Sequence, residues 1–152
     1  MKTRSLYGFS PELEPFVGKT PNEQVTLLQS WGNTAVFGGY QDAEFVAAAH
    51  AAGMQVYAEF GCFVHQKWWD EHPESIPITH EGQTLEPEEW YYGVNPTTPA
   101  VRQKLLETLE KLLTDHAIDG VWLDFIRWPC HWESPAPYLP RTSFDEQNIA
   151  RL

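Results

Sequence analysis

Two acidic side chains stand near the ends of apolar stretches, where their type and spacing could support acid–base chemistry. Glu59 lies in residues 54–63 and Asp124 in residues 120–126, and both stretches have the character of buried strands. Two carboxylates at the tips of neighbouring strands would share one face of a sheet, because side chains alternate along a strand. A pair of carboxylates is what cleavage of a glycosidic bond requires. We therefore predict that Asp124 and Glu59 are the catalytic carboxylates.

Each acid also has a structural interpretation. A buried carboxylate costs desolvation energy unless it is paired, and Arg127, three residues after Asp124, could supply the pairing. The Asp–Arg pair would then only anchor the loop that follows. For Glu59 the alternative is a hydrogen bond to substrate or to a loop, which we favour over a role as the catalytic acid.

Aromatic side chains are concentrated in two long connections. Residues 64–98 and the proline-rich residues 128–143 both follow predicted strands, and barrel enzymes build their active sites at such carboxyl ends. Sugars stack on aromatic faces, but aromatics also bury area well in any loop, and we expect about half of the set to serve packing alone. The predicted substrate-binding residues are Arg127, Trp68, Trp69, Trp90, Tyr91, Trp128, Trp132 and His65.

A metal site is the competing interpretation of these connections. Cys62, His65, Cys130 and His131 would follow two adjacent strands, but their spacings are not a recognised zinc pattern. We therefore predict neither a metal nor a cofactor, and an unrelated metal-dependent α/β hydrolase stays an alternative. The sequence has no GxSxG motif and Cys62 has no activating context, so serine and cysteine nucleophiles are set aside.

The elements that must position these residues alternate along the chain. Helical patterns separate the apolar stretches, which favours a parallel sheet covered by helices and hence the α/β class. No GxGxxG motif follows the first strand, which weakens a dinucleotide-binding interpretation. The predicted strands are residues 5–10, 34–39, 54–63 and 120–126, and the predicted helices are residues 22–31, 42–52 and 99–116.

Residues at the predicted helix ends carry the expected signals. Asn22 is the predicted N-cap of the first helix, and Thr97 or Thr98 that of the third. Gly32 and Gly53 stand just past the first two helices, where a left-handed residue ends a helix.

The last third of the chain carries two motifs. Residues 95–102 have the sequence NPTTPAVR, and residues 118–129 have the sequence IDGVWLDFIRWP. They resemble the NP…PxVR and DGxxLDxIRxP signatures of the hypothetical glycosyl-hydrolase-like barrels, the broad family-10-like and GHL-type set of glycosidases. The LDxIRxP block is distinctive, whereas the earlier units match by pattern only.

The resemblance implies a (β/α)8 barrel of the TIM type, with Asp124 as an active-site carboxylate and Arg127 close behind it. It implies hydrolysis of O-glycosidic bonds in a carbohydrate, with Asp124 as nucleophile and an acid from a later strand. Eight strands need about 250 residues. We therefore expect residues 1–152 to be the N-terminal half of such a barrel, its first four β/α units, truncated at the C-terminus.

A half barrel has consequences for partners. Its two sheet edges are unpaired, which predicts self-association, and a half barrel that binds carbohydrate without turnover is the alternative function. The formal net charge of −11 would repel a phosphate backbone, so nucleic acid is not an expected partner. No apolar run suffices for a secretory signal or a bilayer span, so a cytoplasmic location is the default expectation and no membrane partner is predicted.

Overall fold

A parallel sheet organises the molecule in a computed structural model that describes residues 3–38, 40–127, 135–136 and 141–151. Its four strands are hydrogen-bonded in the order β1-β2-β3-β4, and β2 pairs in parallel with both β1 and β3. The predicted α/β class with a parallel sheet is confirmed, whereas closure into an eight-stranded barrel stays a prediction. The strands are β1 (Ser5–Tyr7), β2 (Ala35–Gly38), β3 (Gln55–Gly61) and β4 (Gly120–Asp124).

Helices occupy the predicted segments and three further ones. The connection of residues 64–98 is not a plain loop, because it contains a short α-helix and a 3-10 helix. Within the described part of the chain, no helix has both the length and the apolar character needed to cross a bilayer. The α-helices are α1 (Pro21–Ser30), α2 (Ala43–Ala51), α3 (Gln66–Glu71), α4 (Pro99–Asp115) and α5 (Glu146–Ile149), and the 3-10 helix is Pro73–Ser75.

The N-cap of the first helix lies two residues before the predicted one. Thr20 is the N-cap: its hydroxyl accepts from the Glu23 N–H at 3.4 Å, and the Glu23 carboxylate accepts from the Thr20 N–H at 2.8 Å. This reciprocal capping box satisfies two N–H groups, so Asn22 was the wrong choice of cap and lies inside the helix. Gly32 and Gly53 follow α1 and α2 with φ of 81° and 71°, which confirms their predicted left-handed role.

The chain divides into two compact units. The first unit comprises described residues of Met1–Phe60 and Leu109–Asp124, and the second comprises described residues of Gly61–Thr108 and Phe125–Leu152.

The core of the first unit lies between one face of the sheet and helices α1 and α2. Leu28 and Phe45 from the helices and Val56 from β3 are fully buried. Phe9 stacks on Phe45 with ring centroids 4.5 Å apart. Because Val56 and Ala58 face this core, the intervening residues of β3 project from the opposite face.

The second unit has its own smaller core. Its buried residues are Trp68 of α3, Val101 of α4 and Val94, which precedes α4. Phe63 and Leu105 pack against them. The aromatic connection after β3 is therefore folded around a hydrophobic centre.

Candidate active site

Three oxygen-bearing side chains meet on the open face of the sheet in the first unit. Tyr7 of β1 donates from its hydroxyl to Asp124 Oδ2 of β4 at 3.0 Å. Glu59 of β3 lies close enough to Tyr7 and Asp124 for its carboxyl group to interact electrostatically with both. The two carboxyl groups named from the sequence therefore lie near each other at the carboxyl ends of their strands, and the Tyr7 phenol donates to one of them. We call Tyr7, Glu59 and Asp124 the carboxyl cluster.

The carboxyl cluster favours protonation of one of its acids. Partial burial, the negative charge of Asp124 and a hydrogen bond with Asp124 raise the pKa of Glu59, while the hydrogen bond from Tyr7 lowers it in part. Partial burial, the hydrogen bond to Asp124 and the charges of both acids raise the pKa of Tyr7 to about 12. The phenol therefore keeps its proton at neutral pH and acts as a donor to Asp124.

Aromatic rings form the floor beside the carboxyl cluster. A cavity of about 300 Å³ is lined by Ser5, Tyr7, Phe37, Trp122 and Asp124. Trp122 meets Phe37 edge-on with centroids 5.5 Å apart, and half of its side chain is exposed. A cavity with a carboxylate at one side and aromatic faces at another suits a ligand that has both hydroxyl groups and an apolar ring face.

Sequence reasoning assigned no role to Tyr7, Phe37 or Trp122. The signal that could have found them is strand register: Tyr7 pairs with Phe37 across β1 and β2. The same alternation that placed Glu59 and Asp124 on one face applies to these strands. Short strands of three and four residues gave too little pattern to choose a face.

His65 lies in the second unit at the start of α3. Its ring stacks on Trp68 with centroids 3.8 Å apart. Burial lowers the pKa of His65, although hydrogen bonds to backbone groups of Gly61 and Cys62 partly oppose this. A neutral imidazole held by backbone carbonyls is an acceptor at its other nitrogen, so the geometry suits a hydrogen bond from a ligand or from the protein.

The aromatic side chains predicted to bind substrate differ in their exposure to solvent. Trp68 and Tyr91 are 5% and 2% exposed, so their burial favours the packing interpretation that the sequence left open. Trp69 donates from Nε1 to the Gly93 carbonyl at 3.1 Å. Trp90 is 49% exposed and presents an accessible ring. Trp128 and Trp132 lie outside the described residues.

Arg127 packs on aromatic rings of the second unit. Its guanidinium carbon lies 5.2 Å from the Phe125 ring centre and 5.6 Å from that of Tyr91. Phe125, the residue after Asp124, has a φ of 51°, a conformation that costs a non-glycine residue energy and recurs at functional sites. The pairing of Arg127 with Asp124 stays a prediction.

The alternative of a metal site depends on histidine, cysteine and acidic side chains. The described part of the chain has no group of three or more His, Cys, Asp or Glu side chains arranged to hold a metal ion. Cys62 is buried and His65 stacks on Trp68, while Cys130 and His131 lie outside the described residues.

Comparison with known proteins identifies structural relatives only. No protein-family model matches the chain, and no curated protein matches it. A hypothetical protein from Ruminiclostridium thermocellum ATCC 27405 aligns with a TM-score of 0.63 and 14% identity, over 82% of this chain and 77% of that one.

Two enzymes of known class share the fold as well. A noncanonic maltogenic alpha-amylase from Thermotoga neapolitana aligns with a TM-score of 0.59 and 12% identity, over 78% of this chain and 38% of that one. Alpha-L-fucosidase isoenzyme 2 from Paenibacillus thiaminolyticus aligns with a TM-score of 0.60 and 14% identity, over 84% of this chain and 24% of that one. The chain therefore has a glycoside-hydrolase-like fold and spans well under half the length of these two enzymes.

Proposed function

We propose that this chain belongs to a glycoside hydrolase in which Asp124 is the nucleophile. The observation that carries the proposal is the carboxyl cluster, which stands near the carboxyl ends of adjacent parallel strands beside an aromatic-lined cavity. Active sites of parallel barrels are built at that end of the sheet. The fold shared with an amylase and a fucosidase supports a carbohydrate as the substrate class.

The proposed reaction proceeds in two steps. Asp124 attacks the anomeric carbon and forms a glycosyl ester, while the bond to the leaving oxygen breaks and a separate carboxylic acid protonates that oxygen. Water then cleaves the ester, with the same acid, now deprotonated, accepting a proton from the water. In this proposal Glu59 binds substrate, and a different group is that separate acid.

Glu59 is a substrate-binding group in this proposal. Partial burial and the charge of Asp124 raise its pKa, and its carboxyl group can hydrogen-bond a sugar hydroxyl. Within the second unit, exposed Trp90 and Arg127, which packs on Phe125, are proposed to bind carbohydrate as well.

Aryl glycosides with good leaving groups test the nucleophile directly, because such leaving groups need little acid assistance. We expect Asp124→Asn to reduce turnover of the best substrate in a panel by at least about a thousandfold. Asp70→Asn, which changes an exposed acid, is the matched control and should keep full activity. Unchanged turnover in Asp124→Asn, with an unaltered circular dichroism spectrum, would remove Asp124 from the chemistry.

Carbohydrate binding without turnover is the second candidate. It is favoured by the contact of the Tyr7 hydroxyl with Asp124 Oδ2 at 3.0 Å, because a carboxylate and a phenol beside an aromatic-lined cavity can bind sugar hydroxyls without cleaving a glycosidic bond. Calorimetric titration with oligosaccharides separates the two functions. Saturable binding with no hydrolysis of the same sugars or of aryl glycosides selects the binding role.

We further propose self-association through the outer strands of the sheet. β1 and β4 are the outer members of the strand order, and Trp122 and Leu123 of β4 are each 47% exposed. Unpaired strand edges with apolar side chains favour pairing with another chain. Because each copy carries a formal charge of −11, association should strengthen as salt screens the repulsion. A monomer in sedimentation at both low and high salt would contradict this proposal.

A further inference from the structure

Aromatic side chains form a row across the open face of the sheet in the first unit. Tyr7, Phe37 and Tyr57 are partners in register on β1, β2 and β3. Phe37 stacks on Tyr57 with ring centroids 4.6 Å apart and an interplanar angle of 9°. Trp122 of β4 meets Phe37 edge-on with centroids 5.5 Å apart and is 47% exposed. Contact with Phe37 therefore supports the Trp122 ring, and about half of that ring stays accessible.

Gly120, the first residue of β4, leaves room for this row of rings. A Cβ atom at position 120 would lie 3.1 Å from two ring atoms of Tyr57, which is closer than ordinary van der Waals contact. The glycine therefore allows Tyr57 to lie against Phe37, which in turn contacts Trp122. The exposed indole is thus part of a connected set of packed rings.

Oxygen-bearing groups line the same cavity as Trp122. Tyr7 and Asp124 are among its lining residues, and the Tyr7 hydroxyl donates to Asp124 Oδ2 at 3.0 Å. A pyranoside ring has hydroxyl groups at its rim and C–H groups on its faces, so it matches a cavity with oxygen atoms at one side and an aromatic face at another. With a volume of about 300 Å³, the cavity is at the small end of ligand sites, which suits one sugar ring.

We propose that Trp122 is a specificity-determining residue that stacks on one face of the pyranoside ring bound beside Asp124. The ligand class is a pyranoside with at least one face free of axial hydroxyl groups, because an axial hydroxyl would hold the sugar ring away from the indole. This inference rests on the proposed function, since it places the ring beside the proposed nucleophile. It adds a residue that selects the shape of the sugar ring, whereas the oxygen-bearing side chains select its hydroxyl groups.

Fluorine NMR tests the stacking without any need for catalysis. With 5-fluorotryptophan in place of Trp122, methyl β-D-glucopyranoside, whose substituents are all equatorial, should shift the fluorine signal in a saturable way. D-glucitol, which has hydroxyl groups but no ring, should leave the signal unchanged at matched concentration. Methyl α-D-altropyranoside, which has axial oxygen atoms on both faces, should bind about tenfold more weakly than the glucoside, which is the loss expected for one aromatic stacking contact.

Trp31 is the matched control within the same unit. It is 47% exposed, as Trp122 is, and its ring meets that of Phe16 edge-on with centroids 5.6 Å apart. It is not one of the residues that line the cavity beside Asp124. 5-Fluorotryptophan in place of Trp31 should therefore give no saturable shift with the glucoside. In ligand-observed NMR titrations, Trp122→Leu should weaken binding of the glucoside by about tenfold, Trp122→Phe by less, and Trp31→Leu should leave it unchanged.

The outcomes separate the failure of this inference from the failure of the proposed function. Glucoside-dependent shifts at position 122, without hydrolysis of any aryl glycoside, would keep the stacking role and reject the hydrolase. Hydrolysis that requires Asp124 but has the same kcat/KM in Trp122→Leu would reject the stacking role and keep the hydrolase.

Three results of the NMR experiment itself would overturn the proposal. A fluorine signal at position 122 that does not respond to the glucoside would show that the indole does not contact the sugar. A signal that follows protein concentration instead would show that a second copy of the chain covers Trp122. Equal responses to the glucoside and to D-glucitol would show that the face of the sugar ring plays no part in binding.

Discussion

The side-chain amide of Asn95 donates to Asp145 Oδ2 at 2.7 Å, although the two residues are 50 positions apart in the sequence. Asn95 is 2% exposed, and its side-chain oxygen accepts from the Thr97 N–H at 3.0 Å. Ser143 and Asn148 also donate to Asp145 Oδ2. Asn95 thus joins the turn before α4 to the turn before α5, which gives the first residue of the NPTTPAVR motif a structural role within the second unit.

The first prediction concerns the coupling between Asn95 and Asp145. We expect Asn95→Ala and Asp145→Ala each to lower the free energy of unfolding. The loss in the double variant should be smaller than the sum of the two single losses by about 0.5 to 3 kcal/mol. Free energies of unfolding from urea titration measure this coupling. As a control, the loss of unfolding free energy in Asp70→Ala, which changes an exposed acid, should add to that of Asn95→Ala. Additive losses for the Asn95 and Asp145 changes would contradict the hydrogen-bond network.

A second prediction follows from the charge state of Asp145. Partial burial would raise its pKa, but hydrogen bonds from Ser143 and Asn148 outweigh burial and lower it below the ordinary 3.8. The unfolded chain therefore binds the proton more readily, so Asp145 contributes stability above pH 3.8 that is lost as the pH falls through its lower folded value. As the pH is lowered through this range, the unfolding free energy of Asp145→Asn should decrease less steeply than that of the unaltered chain. Parallel curves for the two proteins would refute it.

The sheet and the three longer helices were predictable because each has a periodic apolar pattern. The ends of β3 and β4 could be foreseen for the same reason, since seven and five residues are enough to show alternation and hence to place Glu59 and Asp124 together. The hydrogen bond between Tyr7 and Asp124 could not be foreseen. It joins residues 117 positions apart, and only strand order determines such a contact.

The connection after β3 shows a second limit of sequence reasoning. Trp68, Trp69 and Trp90 look alike in a sequence, yet one is buried in a core, one donates to a carbonyl and one is half exposed. The short helix α3 that buries Trp68 has six residues and no side-chain cap, so it carried little local signal. Tertiary packing, and not local pattern, decides which aromatic faces are accessible.

The third prediction tests the start of α1. Thr20→Ala should cost about 1 kcal/mol of unfolding free energy, because it removes one half of the capping box with Glu23. Thr26→Ala is the matched control in the same helix. The Thr26 hydroxyl donates to the Asn22 carbonyl at 2.8 Å, a bond within the helix. Because alanine is the better helix former, Thr26→Ala should leave the unfolding free energy nearly unchanged or raise it. Equal losses in the two variants would show that Thr20 is not a cap.

The last prediction separates binding from packing in the aromatic set. Trp68→Ala should destabilise the chain by about 3 to 5 kcal/mol, because it empties a buried site against Val94 and Val101. Trp90→Ala should cost only about 1 kcal/mol, since a half-exposed ring loses mainly its contacts with Tyr91 and Phe125.

For carbohydrate affinity we expect the opposite order, with the larger loss in Trp90→Ala and the smaller loss in Trp68→Ala. Trp90→Ala should weaken binding of the best oligosaccharide by about tenfold or more, which corresponds to 1.4 kcal/mol. Calorimetry under conditions where each variant is fully folded makes the comparison fair, because loss of the folded state would mimic loss of affinity. If Trp90→Ala binds as tightly as the unaltered chain, its exposed ring does not bind the sugar.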